Sequence, residues 1–510
     1  MKSPHETDGL GVLRARGEAF LEDVSREYHA AHAGLKPQAD LQPIYERHRD
    51  AYGDESYSTA LEIFRESALG SASKRSAAAM LLEWLIDSRV GRELAPLEEK
   101  EFAWESAAIV PLPSGGGEPH SRVSITIANT RDKNERRALD DARAKLVLAE
   151  LAPMRQEKLA REKGLVEAAG IASSYNETFN TLAAISLNEL RADCEKFLRD
   201  TQGMWDDVLP EFLKSRLQIT PGEATRADAL ALMRAPEFDE YFPAREMEIA
   251  VRRQITDMGI SPDANGRVLY DTVEREGKRA RAFCAPVRVP EEVHLVLRPH
   301  GGQNDWQTLL HELGHALHFG NAERSLPFEF RWLGDNSITE GYAMLFDHRM
   351  QDAGWLGRYT ELRSADIPRF LRSAGFEELQ FLRRYCAKLI YEVQLYSGKV
   401  PWNALPDLYV ETLTGATNFR YQRCDAFVDV DPRFYSARYL RAWQLQALLN
   451  ETLVERFNED WWRNPNAGPW IVAELFNRGQ SELAEEQARR VSGKSLGFAP
   501  LVRAIEGMLA

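Results

Sequence analysis

The stretch NDWQTLLHELGHALHFG, residues 304–320, contains the strongest structural signal in the sequence. Its apolar residues recur at intervals of three or four, the period at which one face of an α-helix is buried. Asn304 or Asp305 is a suitable N-cap, and Gly320 lies where a helix commonly ends. The pattern therefore predicts an amphipathic helix in this stretch.

The same stretch contains the motif HELGH, with histidines at positions 311 and 315. Four residues turn an α-helix through about 400°, so His311 and His315 lie roughly 40° and one turn apart. Their imidazoles can therefore bind one metal ion. Glu312 lies beside that ion, where a carboxylate can accept a proton from water. The motif predicts a zinc-dependent hydrolase; the alternative is a surface helix with two unpaired histidines.

A third metal ligand has to come from outside the motif, because catalytic zinc usually has three protein ligands and one open position. The extended motif HExxHxxGxxH is absent, since Asn321 stands where its last histidine would fall. Glu340, 25 residues after His315, begins a second apolar helical run and is the predicted third ligand. The alternative is a capping box from Ser337 to Glu340, in which the glutamate only caps its own helix.

Two further polar residues accompany these candidates. Asp347 lies seven residues after Glu340, two turns along the same helical face, and is predicted to orient a ligand imidazole. A solvated helix end would explain Asp347 nearly as well. His318 follows His315 by three residues, but one helix does not easily place three imidazoles round one ion. We therefore predict a packing or outer-shell role for His318.

The composition of the whole chain argues against several classes of protein. A length of 510 residues exceeds one small domain, and 44% hydrophobic residues exclude a mainly disordered chain. The net charge of −14 argues against partners such as nucleic acid or an anionic membrane. Four scattered cysteines without a CxxC pair argue against a disulfide framework. Without a secretory signal or an apolar run that spans a bilayer, we expect a soluble, cytoplasmic protein.

Helical periodicity dominates the remaining sequence, so the predicted fold class is mainly α. Arg281–Val289 and Val293–Leu297, two short apolar runs punctuated by prolines, predict a small and partly exposed β element. Val123–Ile127 alternates like a strand. The glycine-rich segment Pro113–Pro119 predicts a flexible surface loop.

The motif and its surroundings resemble a known family. HELGHALH at residues 311–318, with Thr308 before it and Glu340 after it, resembles the zinc peptidases of the thimet oligopeptidase and oligoendopeptidase F family. The lead-in DWQT and the strand at Ala282–Ala285 are similar as well. The chain resembles angiotensin-converting enzyme more distantly. The firm resemblance covers about residues 281–346, roughly an eighth of the chain.

This resemblance implies a set of site residues. One Zn²⁺ ion would be bound by His311, His315 and Glu340, with Glu312 as the general base. An edge strand would pair with the backbone of the substrate, which is β-augmentation in physical terms. The residues of that strand are Ala282, Phe283, Cys284 and Ala285.

The resemblance also implies an architecture. The fold would be zincin-like and mainly helical, with a deep central channel between two lobes. We place the N-terminal helical lobe at about residues 1–225 and the zinc-binding catalytic lobe at residues 226–510. Such a channel would admit only short, unfolded peptides.

Late tyrosines stabilise the oxyanion in members of this family, with a histidine shortly before them. Tyr435 and Tyr439 lie one helical turn apart here and are the candidates, with packing in the core as the alternative. The pair Arg438-Tyr439 is similar to an Arg-Tyr pair of angiotensin-converting enzyme, so Arg438 is a candidate for substrate binding. The chain departs from the family in one respect: no histidine follows His348.

Asp429 and Asp431 stand about where the family has its histidine, and an ionised carboxylate cannot donate a hydrogen bond. This departure leaves the metal ligands untouched.

The predicted function is a zinc-dependent oligopeptidase that hydrolyses short peptides. Two alternatives are a helical protein that binds peptides through an inactive metal site, and a zinc hydrolase of a non-peptide amide. Cleavage specificity and oligomeric state do not follow from the sequence.

Overall fold

The computed structural model of the protein describes residues 4–67, 70–112, 115–279 and 281–510. Helix accounts for 70% of the structure and strand for 5%, which confirms the prediction of a mainly α fold. None of the helices in these ranges combines the length and the hydropathy needed to cross a bilayer.

The described residues form twenty-one α-helices, which are numbered in chain order. They are α1 (Pro4–His32), α2 (Gln42–Arg47), α3 (Asp54–Ser67), α4 (Ala72–Ala107), α5 (His120–Asn129), α6 (Lys133–Leu146), α7 (Ala152–Ala168), α8 (Tyr175–Ala183), α9 (Leu187–Asp200), α10 (Gln202–Phe212), α11 (Arg226–Leu232), α12 (Ala244–Asp257), α13 (Gln303–Gly320), α14 (Asn336–Asp347), α15 (Ala353–Tyr359), α16 (Ile367–Tyr396), α17 (Leu405–Thr417), α18 (Tyr435–Phe457), α19 (Ala467–Glu474), α20 (Ala484–Ser492) and α21 (Ala499–Leu509).

The chain packs into two compact units, each built from three separate segments. The segments of the first unit are Met1–Ser88, Glu237–Arg372 and Arg441–Ala504. Those of the second unit are Arg89–Pro236, Ser373–Leu440 and Ile505–Ala510. Residues of both predicted lobes thus contribute to each unit, and the division at residues 225 and 226 stays a prediction.

A three-stranded sheet in the first unit confirms the predicted β element. Its strands are β3 (Val268–Asp271), β4 (Phe283–Arg288) and β5 (Glu292–Val296), in the order β3–β5–β4. β3 pairs with β5 in parallel, and β4 pairs with β5 in antiparallel orientation. β4 is therefore an edge strand, and both α1 and α13 contact it.

A short hairpin in the second unit occupies the segment that was predicted to be a loop. Its strands are β1 (Ile109–Pro111) and β2 (Gly117–Pro119). Gly115 and Gly116 make the turn with φ angles of 92° and 84°, which glycine adopts without strain. Residues 113 and 114 of the predicted loop lie outside the described residues. Gly117–Pro119, the end of that segment, pairs with β1.

The strand predicted at Val123–Ile127 is wrong, because these residues belong to helix α5. Val123 and Ile127 are four residues apart, so a helix places both on one face. Both are fully buried and pack in a cluster with Val110 and Leu139. The alternating β-branched residues imitate a strand, but a strand would also place Ile125 on the buried face, whereas the helix leaves Ile125 exposed.

Candidate metal centre

Helix α13 forms where its sequence predicts it, but a different residue caps it. Leu309, Leu310 and Leu313 are almost completely buried along one side of the helix. The N-cap is Gly302, not Asn304 or Asp305. The Asp305 carboxylate instead accepts hydrogen bonds from the backbone N–H groups of His300 and Gly301, at 2.8 and 3.0 Å. Asp305 thus fastens the turn that leads into the helix.

Helix α14 is capped by Asp335, so the capping box proposed for Ser337 and Glu340 is wrong. The Asp335 side chain accepts a hydrogen bond from the backbone N–H of Ser337 at 2.9 Å. Its second carboxylate oxygen accepts one from the N–H of Ala484, at the start of α20, at 3.1 Å. Glu340 lies more than a turn inside the helix and does not cap its start.

The two helices touch at Gly314, the glycine of the HELGH motif. A Cβ atom at this position would lie 2.6 Å from the Cα atom of Ala343 and 2.9 Å from the carbonyl oxygen of Tyr342. Distances below 3.0 Å to backbone atoms cannot be relieved by moving a side chain. Glycine at position 314 therefore lets the backbone of α14 come close enough for Glu340 to reach the two histidines.

Three side chains from the two helices converge on one point. Among the described residues, His311, His315 and Glu340 form the one group of three potential ligands whose donor atoms all lie within 4.8 Å of one another. The Glu340 Oε2 atom is 3.3 Å from Nε2 of His311 and 3.7 Å from Nε2 of His315. Two ligands at 2.0–2.1 Å from a tetrahedral zinc ion are about 3.4 Å apart. The two distances from Glu340 therefore fit one such ion.

In each imidazole, the Nδ1 atom, which faces away from Glu340, contacts a residue of α14. Nδ1 of His311 is 2.8 Å from the Asp347 carboxylate, the contact predicted from sequence. Asp347 also contacts Nδ1 of His348. Nδ1 of His315 is 2.8 Å from the hydroxyl of Thr339, a contact that sequence reasoning missed. Both imidazoles therefore turn Nε2 toward Glu340, an arrangement suited to metal binding through Nε2.

The charges around the site follow from this arrangement. Burial opposes protonation of His311, but the hydrogen bonds that the imidazole donates to the carboxylates of Asp347 and Glu340 outweigh it and raise the pKa of His311 to about 10. Burial lowers the pKa of His315, which has a neutral hydroxyl as its outer partner. Burial raises the pKa of Asp347, yet the neighbouring histidines His348 and His311 lower it below its ordinary value. His311 thus lies in close contact with two acidic side chains, Glu340 and Asp347.

Glu312 and the edge strand meet beside this group. The backbone N–H of Cys284 donates a hydrogen bond to Oε2 of Glu312 at 2.9 Å, so this N–H is not used in the pairing of β4 with β5. Burial and the nearby Glu312 carboxylate raise the pKa of the Cys284 thiol well above its ordinary value. Cys284 is therefore a neutral thiol and contributes through its backbone.

The other residues of the predicted strand lie around Cys284. Ala282 is buried immediately before β4, whereas Phe283 and Ala285 lie within it. The ring of Phe283 packs edge to face on that of His32 of α1, at 5.7 Å between centroids. All four residues thus lie at or directly before the start of β4, the edge strand whose backbone donates a hydrogen bond to Glu312.

The predicted tyrosines belong to the second unit. The rings of Tyr435 and Tyr439 are 4.9 Å apart, as expected for neighbours one helical turn apart, and Tyr439 also meets Tyr385 at 5.7 Å. Arg438 is buried, with 7% of its surface exposed. The roles of Tyr435, Tyr439 and Arg438 in a reaction stay predictions.

Asp429 and Asp431 are both engaged in ion pairs. Asp429 accepts hydrogen bonds from Arg384, at 2.5 and 2.6 Å, and from the hydroxyl of Tyr409, at 2.7 Å. Asp431 is 2.8 Å from the ammonium group of Lys388. Burial raises the pKa of Asp429, but Arg384 and Lys388 lower it well below its ordinary value. Asp429 is therefore ionised and donates no hydrogen bond.

His318 packs in the core, in agreement with the prediction. It is fully buried, and its ring stacks on Phe319 and meets those of Tyr342 and Phe476. Burial lowers the pKa of His318 to about 3, so the imidazole is neutral.

Comparison with known proteins adds no relative. No protein-family model matches the chain, and no curated protein matches it. The function has to be inferred from the residues and their geometry.

Proposed function

We propose that this protein is a zinc-dependent peptidase that hydrolyses short peptides, similar to the thimet oligopeptidase and oligoendopeptidase F family. The observation that carries the proposal is the convergence of His311, His315 and Glu340, with the neighbouring Glu312 of α13 held by a hydrogen bond from the backbone of an edge strand. A helix cap or a pair of surface histidines would not require these contacts.

The donor set supports zinc in particular. Two imidazole nitrogens and one carboxylate oxygen are the ligands of catalytic zinc in known metallopeptidases, whereas structural zinc sites usually have four protein ligands, often cysteines. Three protein ligands leave a position for water. Zinc bound there would lower the pKa of a coordinated water toward about 7 and polarise a carbonyl group.

The residues of the chain would supply the remaining steps. Glu312 would accept the proton of the attacking water and then donate it to the leaving amine. The hydrogen bond from Cys284 fixes the carboxylate of Glu312 at the edge of β4. An extended peptide added to that edge would therefore bring its backbone next to the general base.

The finer architecture belongs to the same proposal. We infer a zincin-like fold with two lobes and a deep channel, which would restrict the enzyme to short, unfolded peptides. Tyr439, with Tyr435, would donate a hydrogen bond to the developing oxyanion, and Arg438 would contact the substrate.

The substitution Glu312→Gln tests the proposal. It keeps the size of the side chain but removes the base, so we expect zinc to remain bound while cleavage of a quenched peptide library is lost. Glu323→Gln, the same change at an exposed glutamate in the same unit, is the matched control and should leave both unchanged. Metal content is measured by atomic emission, and cleavage is measured with and without chelator.

The outcomes separate the proposal from its alternatives. Full cleavage by Glu312→Gln would contradict its role as the base. Zinc binding by the wild type without cleavage of any peptide would favour a peptide-binding protein with an inactive site. Hydrolysis of small amides but not of peptides would favour a non-peptide amidase.

A further inference from the structure

Thr339 contacts His315, the imidazole of the proposed site whose Nδ1 atom has a hydroxyl rather than a carboxylate as its partner. Its hydroxyl oxygen is 2.8 Å from Nδ1 of His315, and the residue is 7% exposed. It directly precedes Glu340 in α14, whose carboxylate is 3.7 Å from the other nitrogen of the same ring. Two successive residues of one helix therefore contact both nitrogens of His315.

The second imidazole is held in a different way. Nδ1 of His311 contacts the carboxylate of Asp347, eight residues after Thr339 in the same helix. His311 precedes His315 in α13, whereas its partner Asp347 follows Thr339 in α14. The two helices therefore run in opposite directions where they meet, and the two ends of α14 each hold one imidazole.

We propose that Thr339 is a positioning residue, whose hydroxyl accepts the Nδ1–H of His315 and so directs Nε2 of that ring to the metal. The inference rests on the proposed zinc site. An imidazole that binds metal through Nε2 carries its proton on Nδ1. A buried N–H without an acceptor is costly, and the acceptor fixes both the tautomer and the orientation of the ring.

The chemistry of the acceptor distinguishes this role from packing. Valine has nearly the shape of threonine but no hydroxyl, so Thr339→Val removes the acceptor and keeps the volume. Serine keeps the hydroxyl and loses a methyl group, so Thr339→Ser keeps the acceptor. A role in packing alone would make serine the more harmful change, whereas a positioning role makes valine the more harmful one.

The chain offers a matched control in the same unit. Thr452 in α18 is also 7% exposed, and its hydroxyl donates to the carbonyl oxygen of Leu448 at 2.8 Å. Thr452→Val therefore makes the same chemical change at an equally buried helical threonine without touching His315.

The experiment measures the zinc affinity of the full-length wild type and of each variant by competition with a chromophoric chelator. Loss of an outer partner of a metal ligand typically lowers affinity by about 10- to 100-fold. We expect Thr339→Val to lose about tenfold or more, and Thr339→Ser and Thr452→Val to stay close to the wild type. The absorption spectrum of the Co²⁺-substituted protein should change in Thr339→Val alone.

Two results would overturn the inference: wild-type affinity in Thr339→Val, or an equal loss in Thr339→Ser and Thr339→Val. If Thr339→Val does not fold, Thr339→Ala compared with Thr339→Ser provides the same contrast between a missing and a retained hydroxyl. A wild-type chain that binds no zinc would instead contradict the proposed metal site itself. The two failures are thus distinguishable.

Discussion

Two regions of the molecule present a pair of polar rings one helical turn apart, and their surroundings differ. His311 and His315 on α13 are each held by a residue of a second helix, so both rings turn the same nitrogen to a common carboxylate. The rings of Tyr435 and Tyr439 at the start of α18 contact each other, and the ring of Tyr439 also contacts that of Tyr385. Helical spacing predicts which side chains share a face, but the facing element decides what that face can bind.

The sharpest test of the first region is to remove Glu340, the metal ligand that we propose on α14. Glu340→Ala should lower zinc affinity by more than about 100-fold. Loss of a residue that only contacts a metal ligand typically costs up to about 100-fold, whereas this substitution removes a proposed direct ligand. Zinc retained on dialysis is the measurement. Glu329→Ala is the control, since it removes a buried glutamate paired with Arg14 in the same unit. This control should lose stability but keep its zinc.

Unchanged zinc content in Glu340→Ala would show that Glu340 is not a ligand. The proposal that α14 provides a third metal ligand beside the histidine pair would then be wrong.

The sequence predicted much of this region for a physical reason. Helical periodicity and the HExxH spacing are local properties, so α13, Glu312 and the converging histidines follow from a few adjacent residues. Glu340 required one further assumption, that the next helix returns to the first. The edge strand was also predicted, because its prolines and apolar residues are local signals.

The features that the sequence did not predict depend on contacts between distant residues. Thr339 has no distinguishing pattern until its helix is placed against His315. Gly314 is part of the motif, but its function in the approach of Ala343 is visible only in the packed structure. The strand predicted at Val123–Ile127 failed because tertiary burial selected the helical period.

The second region is tested by removing one hydroxyl. If Tyr439 donates to the oxyanion, Tyr439→Phe should lower kcat by about 10²- to 10³-fold with KM little changed. Tyr391→Phe is a matched control in the same unit, because its buried hydroxyl donates to the carbonyl oxygen of Ala426 at 2.9 Å. A wild-type kcat in Tyr439→Phe would show that Tyr439 has no catalytic role.

The smallest expected effect concerns the close contact between α13 and α14. Gly314→Ala places a methyl group against the backbone of α14 and should lower the free energy of unfolding by about 1–3 kcal/mol, together with zinc affinity. Gly164→Ala, at a helical glycine with open space around it, should instead raise stability by about 0.5–1 kcal/mol. Chemical denaturation with and without zinc measures both. Equal stability of the two variants would mean that α14 tolerates displacement from α13.

Zinc K-edge X-ray absorption of the zinc-loaded protein tests the central claim most directly. We predict one zinc ion per chain with nitrogen and oxygen ligands at about 2.0–2.1 Å, scattering typical of two imidazoles, and no sulfur at about 2.3 Å. The signal should disappear in the double variant His311→Ala/His315→Ala. A sulfur ligand, or an unchanged zinc spectrum in the double variant, would contradict the account.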